Sequence, residues 1–382
     1  MIRTFSLISS FAFAFALAGV ATVAPTAAAP ASAVWDHPGY DAENSYYNPA
    51  ESMINAGSIR GLTEKWSTVL RTSDFSCSGP SAPILSDGRI FATDQLGISA
   101  YAADAGGLAW RFDWDYPGDN DIPAMAVADG LLIAANGGCN SQSDPDGKLT
   151  ALDVANGKPR WTLPMDMPIR TVVVDKGIVA ISGSSPSDED AVVAYRVRDG
   201  KQLWRKPNFG AGSVSADGVL LIYKTDGFGV HAGEIAAVDI VTGTVRWSRA
   251  GDEKAQAASA THFYATEADR DLVALDIATG AVKWSAGGQA SELIATDGRR
   301  VYRADGREVE ALDADTGRRQ WVTRLPGEAL QPVRAGGLLY AGSTVLKAAD
   351  GSRAGAAYPG SVIVGGGRVY QVSGSVLRAF AP

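Results

Sequence analysis

One eleven-residue pattern recurs along this chain and constrains its fold more than any other feature. The pattern opens with alanine, has aspartate at its third position and glycine at its seventh, and ends with tryptophan. Four close copies end at Trp161, Trp247, Trp284 and Trp321, and two weaker copies end at Trp110 and Trp204. Successive tryptophans are 37 to 51 residues apart. This spacing fits a four-stranded sheet with its turns, so the pattern predicts a tandem array of small sheets.

Each position of the pattern has a physical role in such a sheet. Alternating strands and Asp-Gly turns precede the copies, as is typical of β-hairpins. We expect the alanine to open the third strand, the aspartate to accept hydrogen bonds from backbone N–H groups of the next turn, and the glycine to supply its positive φ. The tryptophan then falls on the edge strand, where its ring can fill the gap to the next sheet. The predicted docking residues are Trp66, Trp110, Trp161, Trp204, Trp247, Trp284 and Trp321, with Asp153, Asp239, Asp276 and Asp313.

The two ends of the array predict how it closes into a ring. The C-terminal residues read as strands without a final edge strand, whereas residues 64–70, around Trp66, read as an edge strand without a sheet. Pairing them would remove both exposed edges. With a degenerate repeat at 345–355, residues 62–380 supply eight blades of about 40 residues each. The prediction is an all-β, eight-bladed β-propeller of four-stranded antiparallel blades. A seven-bladed ring is the alternative if the degenerate repeat is irregular.

The first 33 residues read as a secretory signal peptide. A positive start at Arg3 precedes an apolar run at 5–20 and a small-residue cleavage site at 31–33. The apolar run is shorter than the roughly 20 residues that span a bilayer. We therefore expect cleavage near Ala33, a lead-in segment at 34–61, a propeller at 62–382, and secretion to the extracellular space, periplasm or cell envelope. A retained N-terminal anchor is the alternative.

The repeat resembles the tryptophan-docking repeat of pyrroloquinoline-quinone (PQQ)-type β-propellers over most of residues 62–380. Residues 36–70, rich in tyrosine and asparagine, look like the lead-in of the quinoprotein alcohol dehydrogenases. That resemblance implies an eight-bladed propeller and a central quinone held with Ca²⁺. Those dehydrogenases carry an adjacent cysteine pair, whereas Cys77 and Cys139 are 62 positions apart. No position matches the family's calcium-binding or catalytic residues, so none is assigned.

A second branch of the same repeat family is also similar to this chain. This branch looks like the non-enzymatic propeller of outer-membrane assembly factors, and the resemblance implies a docking scaffold. The chain is similar to that branch in size but lacks its lipid-anchoring cysteine near the cleavage point.

Charge and motifs exclude several classes of function. The net charge is −8 and no run of Lys or Arg occurs, so the basic surface that nucleic acids require is missing. The three histidines, His37, His231 and His262, are scattered, and no His-x-x-x-His, Gly-x-Ser-x-Gly, P-loop or Cys-x-x-Cys motif occurs. No catalytic residue is therefore predicted. His231 is the one candidate acid or base.

Three consecutive loops between second and third strands are long, at 136–148, 182–190 and 225–234. They share one face with the links between blades, and loops on a rigid scaffold commonly carry binding sites. We interpret the acidic residues of these loops as solvated turns and predict no metal site, with a weak Ca²⁺ site as the alternative. The candidate binding residues are Asp144, Asp146, Asp188, Glu189, Asp190, Asp226 and His231.

Two further features lie on the same predicted face. Cys77 falls in the link that leads into the first complete blade and Cys139 in a loop of the next, so in a secreted chain we predict a disulfide. Two separate buried thiols are the alternative. An acidic and aromatic segment at 113–121 is interpreted as a link that buries Trp114, with a cation or sugar site as the alternative.

These observations predict a secreted, non-catalytic propeller that binds a protein or envelope component through the raised loop face. We expect a monomer with no cofactor and no transmembrane segment in the mature chain. The alternative is a small PQQ-dependent alcohol or sugar dehydrogenase that uses the central channel with PQQ and Ca²⁺. A third interpretation is a domain that serves envelope integrity without a specific ligand.

Overall fold

Eight four-stranded sheets follow one another along the chain and form the blades of a β-propeller. The structure, a computed structural model, describes Met1 and residues 34–141, 145–185, 190–227, 230–267, 271–288 and 291–382. The prediction of an all-β, eight-bladed propeller is confirmed, and the seven-bladed alternative is wrong. The described helices are single 3₁₀ turns, Ile59–Gly61 and Pro117–Asp119. Within the described residues no helix is long and apolar enough to cross a membrane.

The strands are numbered along the chain. Two short segments, β1 (Tyr47–Asn48) and β2 (Thr63–Val69), precede the regular blades. The first three blades are β3 (Ile84–Ser86), β4 (Arg89–Thr93), β5 (Gly97–Ala102) and β6 (Leu108–Asp113); β7 (Ala124–Ala128), β8 (Leu131–Gly137), β9 (Gly147–Asp153) and β10 (Pro159–Met165); and β11 (Thr171–Asp175), β12 (Ile178–Gly183), β13 (Ala191–Arg196) and β14 (Gln202–Pro207).

The next three blades have the same make-up. They are β15 (Phe209–Ala216), β16 (Val219–Thr225), β17 (His231–Asp239) and β18 (Val245–Ala250); β19 (Lys254–Ala258), β20 (His262–Thr266), β21 (Leu272–Asp276) and β22 (Val282–Ala286); and β23 (Leu293–Thr296), β24 (Arg300–Asp305), β25 (Glu308–Asp313) and β26 (Arg319–Arg324). In each of these six blades the first strand lies next to the first strands of the neighbouring blades, and the fourth is outermost with alternating exposure. The first strands therefore line the central channel.

Blade 8 closes the ring in the predicted manner. Its strands β30 (Ser361–Gly365), β31 (Arg368–Ser373) and β32 (Val376–Ala381) are completed on the outside by β2. Strand β2 pairs antiparallel with β32, and Trp66 lies opposite Ala379. The N-terminal strand thus replaces the missing edge strand, and the ring has no open edge at this blade.

Blade 7 is the degenerate one, and its fourth strand comes from elsewhere. Its own strands are β27 (Val333–Ala335), β28 (Leu338–Ala341) and β29 (Thr344–Lys347), and β1 adds to β27 in parallel on the inner side. No outer strand with a tryptophan follows β29. Tyr358 instead packs its ring between Tyr340 of this blade and Phe380 of blade 8, at centroid distances of 6.3 and 5.2 Å. An aromatic ring therefore fills this blade junction as well.

The register explains why the repeat begins with alanine and ends with tryptophan. In blade 2, Ala151 lies directly opposite Trp161, and the same pairing joins Ala274 to Trp284 in blade 5. A small residue opposite the indole leaves room for the large ring. The expectation that alanine opens the third strand is wrong, because Ala151 is the fifth residue of β9.

Each of the seven repeat tryptophans docks on the next blade. In each case the indole N–H donates to a backbone carbonyl oxygen 2.8–3.2 Å away. The acceptors, from the one for Trp66 to the one for Trp321 in chain order, are Ala103, Val154, Val197, Ile240, Ile277, Ala314 and Ala348. The aspartate of the repeat organises the turn that receives the ring. Asp276, for example, accepts hydrogen bonds from the backbone N–H and hydroxyl of Thr279, which lower the pKa of its carboxyl together with Lys283.

Candidate functional site

The lead-in segment, residues 34–61, runs around one end of the central channel. Residues 35–48 of this segment contact the first strands of the eight blades one after another. The contact is a β-bridge at Trp35 and a hydrogen bond of 2.7–2.8 Å at each of the other blades. The partners are Trp35 with Leu85, Asp36 with Val127, His37 with Val174, Ala42 with Ser215, Glu43 with Ala258, Ser45 with Thr296, Tyr46 with Arg334, and Asn48 with Val364. Each partner is the last or next-to-last residue of its strand. The segment therefore ties all eight blades together at this end.

A cavity of about 280 Å³ lies in the channel above the lead-in segment. His37, Asp41, Asn44 and Tyr46 lie at the floor, and the walls come from the first strands of blades 2 to 5. The opposite end carries charged side chains that lie at the beginning of first strands: Arg170, Lys254 and Glu292. The Lys254 ammonium lies 3.9 Å from the Glu292 carboxylate. The channel is thus a pocket whose charged end faces the loops and links.

His37 is the most constrained titratable group of the floor. Its Nδ1 lies 2.6 Å from the Asp36 carboxylate and its Nε2 lies 2.8 Å from the Val174 carbonyl oxygen. Both neighbours accept hydrogen bonds, so both ring nitrogens can donate only when the imidazole is protonated. Burial lowers the pKa of His37, but the hydrogen bond to Asp36, its charge and the carbonyl outweigh burial and raise the pKa above the usual 6.5. The ring therefore links the lead-in segment to blade 3, and its protonated form can donate both hydrogen bonds.

The polar groups of the floor are engaged in hydrogen bonds within the lead-in segment or with the first strands of the blades. The Asp41 carboxylate accepts hydrogen bonds from the N–H and the hydroxyl of Ser45, at 2.9 and 2.6 Å. The amide nitrogen of Asn44 donates to the Gln256 carbonyl at 3.1 Å. Burial raises the pKa of Asp41, against the opposing hydrogen bonds from Ser45. These groups hold the segment in place and leave few oxygen atoms for a bound cation.

The quinone and Ca²⁺ that the resemblance implies do not fit these residues. Asp41 and Glu292 are the carboxylates among the cavity residues, and they lie at opposite ends. Among the described residues no group of three or more His, Cys, Asp or Glu side chains could hold a metal ion. Cysteine is absent from the cavity lining, and Cys77 is bonded to Cys139. We therefore assign no cofactor-binding residue.

The face at the other end of the channel, formed by the links and the second-to-third-strand loops, is called the loop face. The predicted disulfide is confirmed there, because Cys77 and Cys139 are joined with their Cα atoms 6.4 Å apart. The disulfide connects the link before β3 to the loop between β8 and β9. Asp119 supports the same junction, since its carboxylate accepts the backbone N–H groups of Cys139 and Asn140 at 2.8 and 2.7 Å.

The structure brings part of the predicted loop residues together. Asp190 is buried, and its backbone hydrogen bonds to Gly227 and Asn208 join the loops of blades 3 and 4. Asp226 accepts the N–H of Val230 within its own loop, at 3.2 Å. Asp146 lies elsewhere on the loop face, where its carbonyl accepts the N–H of Gly138 beside the disulfide. Three of the predicted residues lie outside the described residues: Asp144, Asp188 and Glu189.

His231 stacks on Tyr223 with ring centroids 4.0 Å apart and planes 6° from parallel. Partial burial and the nearby Lys254 lower the pKa of His231, against the opposing charge of Asp252. The ring is therefore neutral near pH 7 and packs through its face, close to the charged end of the channel. This geometry gives a stacking surface rather than a catalytic dyad.

The acidic and aromatic segment after β6 is a link between blades. Trp114 is buried, and its ring packs edge-on against Phe112 at 5.6 Å. Asp113 pairs with Arg71, and Asp115 lies 3.1 Å from the Lys148 ammonium. Sequence reasoning located this segment, Tyr116 included, but did not predict that Tyr116 is exposed, and it did not single out the exposed Phe75 in the neighbouring link.

The fold and the loop face together define a tryptophan-docked, PQQ-like β-propeller. The profile of the family described as outer membrane protein assembly factor BamB matches residues 63–249, 188–293 and 231–376. The chain belongs to this family. Proteins with curated descriptions give no significant match.

Solved structures share the fold at low sequence identity. The quinohemoprotein alcohol dehydrogenase of Comamonas testosteroni superimposes with a TM-score of 0.68 at 14% identity, over 91% of this chain and 80% of that one. BamB of Moraxella catarrhalis gives 0.60 at 18% identity, over 84% and 100%. A europium-containing methanol dehydrogenase gives 0.68 at 12% identity, over 92% and 98%. The fold is thus shared by a dehydrogenase group and an assembly factor.

Proposed function

We propose that this protein is a non-catalytic scaffold that works outside the cytoplasm and binds a protein or envelope component on its loop face. The observation that carries the proposal is the Cys77–Cys139 disulfide, which joins segments of two neighbouring blades on that face. A cross-link between exposed connections rigidifies a surface in advance of binding and so reduces the entropy lost on association.

Three further observations support this function. The signal-like residues 1–33 favour export, and exported chains are the ones that keep disulfides. The matching family is described as an outer membrane assembly factor, a role exercised together with other proteins. The polar groups of the channel floor are occupied by contacts within the lead-in segment and with the first strand of blade 5.

Affinity capture tests the binding role. The purified chain is immobilised and exposed to the envelope and secreted fractions of the cells that produce it, alongside an unrelated propeller of similar charge. We expect a partner that saturates the bait and is absent from the control. Failure of any component to bind saturably would overturn the scaffold function.

Reconstitution tests the absence of catalysis. The purified chain is mixed with PQQ and Ca²⁺ and examined for a bound chromophore and for dye reduction with alcohols and sugars. We expect neither, because the residues of the channel do not supply a cofactor site. Turnover that depends on both the quinone and an alcohol or sugar would establish the dehydrogenase alternative instead.

A further inference from the structure

Three large apolar side chains project from the loop face around the disulfide. Phe75 is 87% exposed, Tyr116 is 71% exposed and Ile122 is 43% exposed. We call these three residues the apolar patch. Phe75 is the most exposed large hydrophobic side chain in the described residues after Met1. Exposed apolar groups that cluster in this way mark interaction sites on folded proteins.

The apolar patch is held by the disulfide and its neighbours. A methyl group on Gly118 would lie 3.2 Å from the carbonyl oxygen of Phe75 and 3.7 Å from the ring of Tyr116, so the two residues flank the same glycine. The Cys77 sulfur lies 3.6 Å from the carbonyl oxygen of Gly118. Gly79 belongs to the same link as Phe75, and a methyl group on Gly79 would lie 3.7 Å from the Cδ1 atom of Ile122. The three side chains are therefore presented on one cross-linked junction.

The surroundings of the apolar patch are acidic. The described parts of the two links and the loop contain six carboxylates and two cations. These parts are residues 70–83, 113–123, 137–141 and 145–148. Both cations are already paired, because Arg71 binds Asp94 and Asp113, and Lys148 lies 3.1 Å from Asp115. From the link before blade 3, Arg170 adds a third cation, which lies 3.9 Å from Asp121. The carboxylates are Asp74, Asp113, Asp115, Asp119, Asp121 and Asp146. This field attracts cationic groups and repels phosphate-rich surfaces.

We propose that the apolar patch docks a segment of a partner protein in which lysine or arginine side chains flank aromatic or aliphatic ones. The inference rests on the proposed scaffold function and names the surface and the chemistry of the partner. Aromatic side chains that are fixed before binding are the usual anchors of an interface, since little conformational entropy remains to be lost. The surrounding carboxylates would pair with the flanking cations and set the orientation of the segment.

Selection from a display library of short random peptides tests the chemistry. The immobilised full chain is expected to enrich peptides that combine Lys or Arg with Phe, Tyr, Trp or Leu. Phe75→Ser/Tyr116→Ser is expected to weaken their binding by about tenfold or more. Asp74→Asn/Asp115→Asn is expected to weaken binding less and to reduce its dependence on salt. Val282→Ser/Val322→Ser, which alters side chains of 49% and 48% exposure on outer strands, is the matched control and should bind as the wild type does.

Several outcomes would overturn the proposal. The proposal fails if no peptide is enriched or if the enriched peptides lack Lys and Arg. It also fails if Phe75→Ser/Tyr116→Ser binds the peptides as tightly as the wild type does, or if the wild type binds phosphatidylglycerol vesicles more tightly than the peptides. Thermal unfolding of each variant shows whether a loss of binding reflects unfolding. If the double variant still captures the envelope partner of the wild type, the surface is wrong and the scaffold function stands. If the wild type captures no partner, the scaffold function itself fails.

Discussion

The indole ring of Trp284 lies directly against the turn glycine Gly317 of the next blade. A methyl group on Gly317 would come within 2.7 Å of the ring, and the residue has a φ of +68°. The glycine of the repeat thus serves two purposes, since it adopts the left-handed conformation and leaves space for the tryptophan. The same contact recurs at Gly157 with Trp110 and at Gly280 with Trp247.

Gly317→Ala should separate these two purposes when compared with Gly298→Ala. Gly298 has a φ of +79° and no atom within 4 Å of an added methyl group, so it reports the conformational cost alone, about 1–2 kcal/mol. Gly317→Ala adds a clash with the indole ring, about 1–3 kcal/mol more. The measurement is the free energy of unfolding in urea. Equal losses for the two variants would contradict the contact between Trp284 and Gly317.

The disulfide should stabilise the folded chain. Cys77 and Cys139 are 62 positions apart, and closing a loop of this length is worth roughly 2–4 kcal/mol. Cys77→Ser/Cys139→Ser should therefore unfold at a lower temperature than the wild type. Dithiothreitol should lower the unfolding temperature of the wild type to that of the variant and leave the variant unchanged. A wild type that is insensitive to reduction would refute the prediction.

His37 should make the stability of the chain depend on pH. Because the pKa of His37 is raised in the folded state, its stabilisation is complete below the unfolded value near 6.5 and is lost as the pH rises through the folded value. The free energy of unfolding should therefore fall as the pH rises above about 6.5. His37→Gln should lose about 1.5–3 kcal/mol at pH 6, the worth of a hydrogen bond to a charged group, and should flatten this slope.

His262→Gln is the control for that measurement. Burial lowers the pKa of His262, so its removal should leave the fall of stability with rising pH in place. Asp41 and Glu43, whose pKa values burial raises, act in the same direction as His37 but in a lower pH range. A slope that survives in His37→Gln would exclude this histidine as its source.

A buried ion pair between the second and third strands of blade 6 gives a further prediction. Arg303 is nearly buried, and its Nε donates to Glu310 at 2.7 Å while its terminal nitrogens donate to the carbonyls of Ala286 and Gly287. Arg303→Met leaves Glu310 with Arg319, 3.5 Å away, and should cost about 3–5 kcal/mol.

The double variant Arg303→Met/Glu310→Met should lose less stability than Arg303→Met alone. Removing both charges avoids leaving the largely buried Glu310 carboxylate with the exposed Arg319 as its remaining partner. The unfolding free energies of Arg303→Met, Glu310→Met and the double variant form a double-mutant cycle with the wild type. Additive losses in the two single variants would show that the pair is not coupled.

The ring of blades was predictable because seven of the eight junctions repeat one contact. Each tryptophan needs a glycine turn in the next blade and a small residue opposite it, so the sequence carries the contact as a fixed spacing. The same reasoning located the disulfide, because two cysteines placed in a link and a loop of adjacent blades share one face. Tyr358, which fills the junction after blade 7, has no such spacing and was not predicted.

The path of the lead-in segment was not predictable from its residues. Most of its contacts with the blades use backbone groups, which leave no pattern in the side chains. Its turns depend on positive φ angles at Tyr40, Asn44 and Tyr46 rather than at glycine. The sequence did not reveal the role of His37, because Val174, its hydrogen-bond partner in blade 3, is 137 positions away.

The exposed aromatic residues of the loop face were missed for a different reason. Phe75 and Tyr116 occur in segments that sequence reasoning assigned to links, where an aromatic residue is expected to be buried, as Trp114 is. The sequence instead predicted acidic loop residues as binding residues, and one of these, Asp190, is buried.

The pairing of β2 with β32 has a consequence for the newly made chain. Thr63 and Ala381 are partners 318 positions apart, so the strand around Trp66 emerges from the ribosome long before the strand that it completes. Until synthesis reaches that point, Trp66 and an unpaired strand edge are open to contact with other chains. Folding helpers that shield this segment until synthesis is complete would thus govern how much of the protein reaches its closed, ring-shaped form.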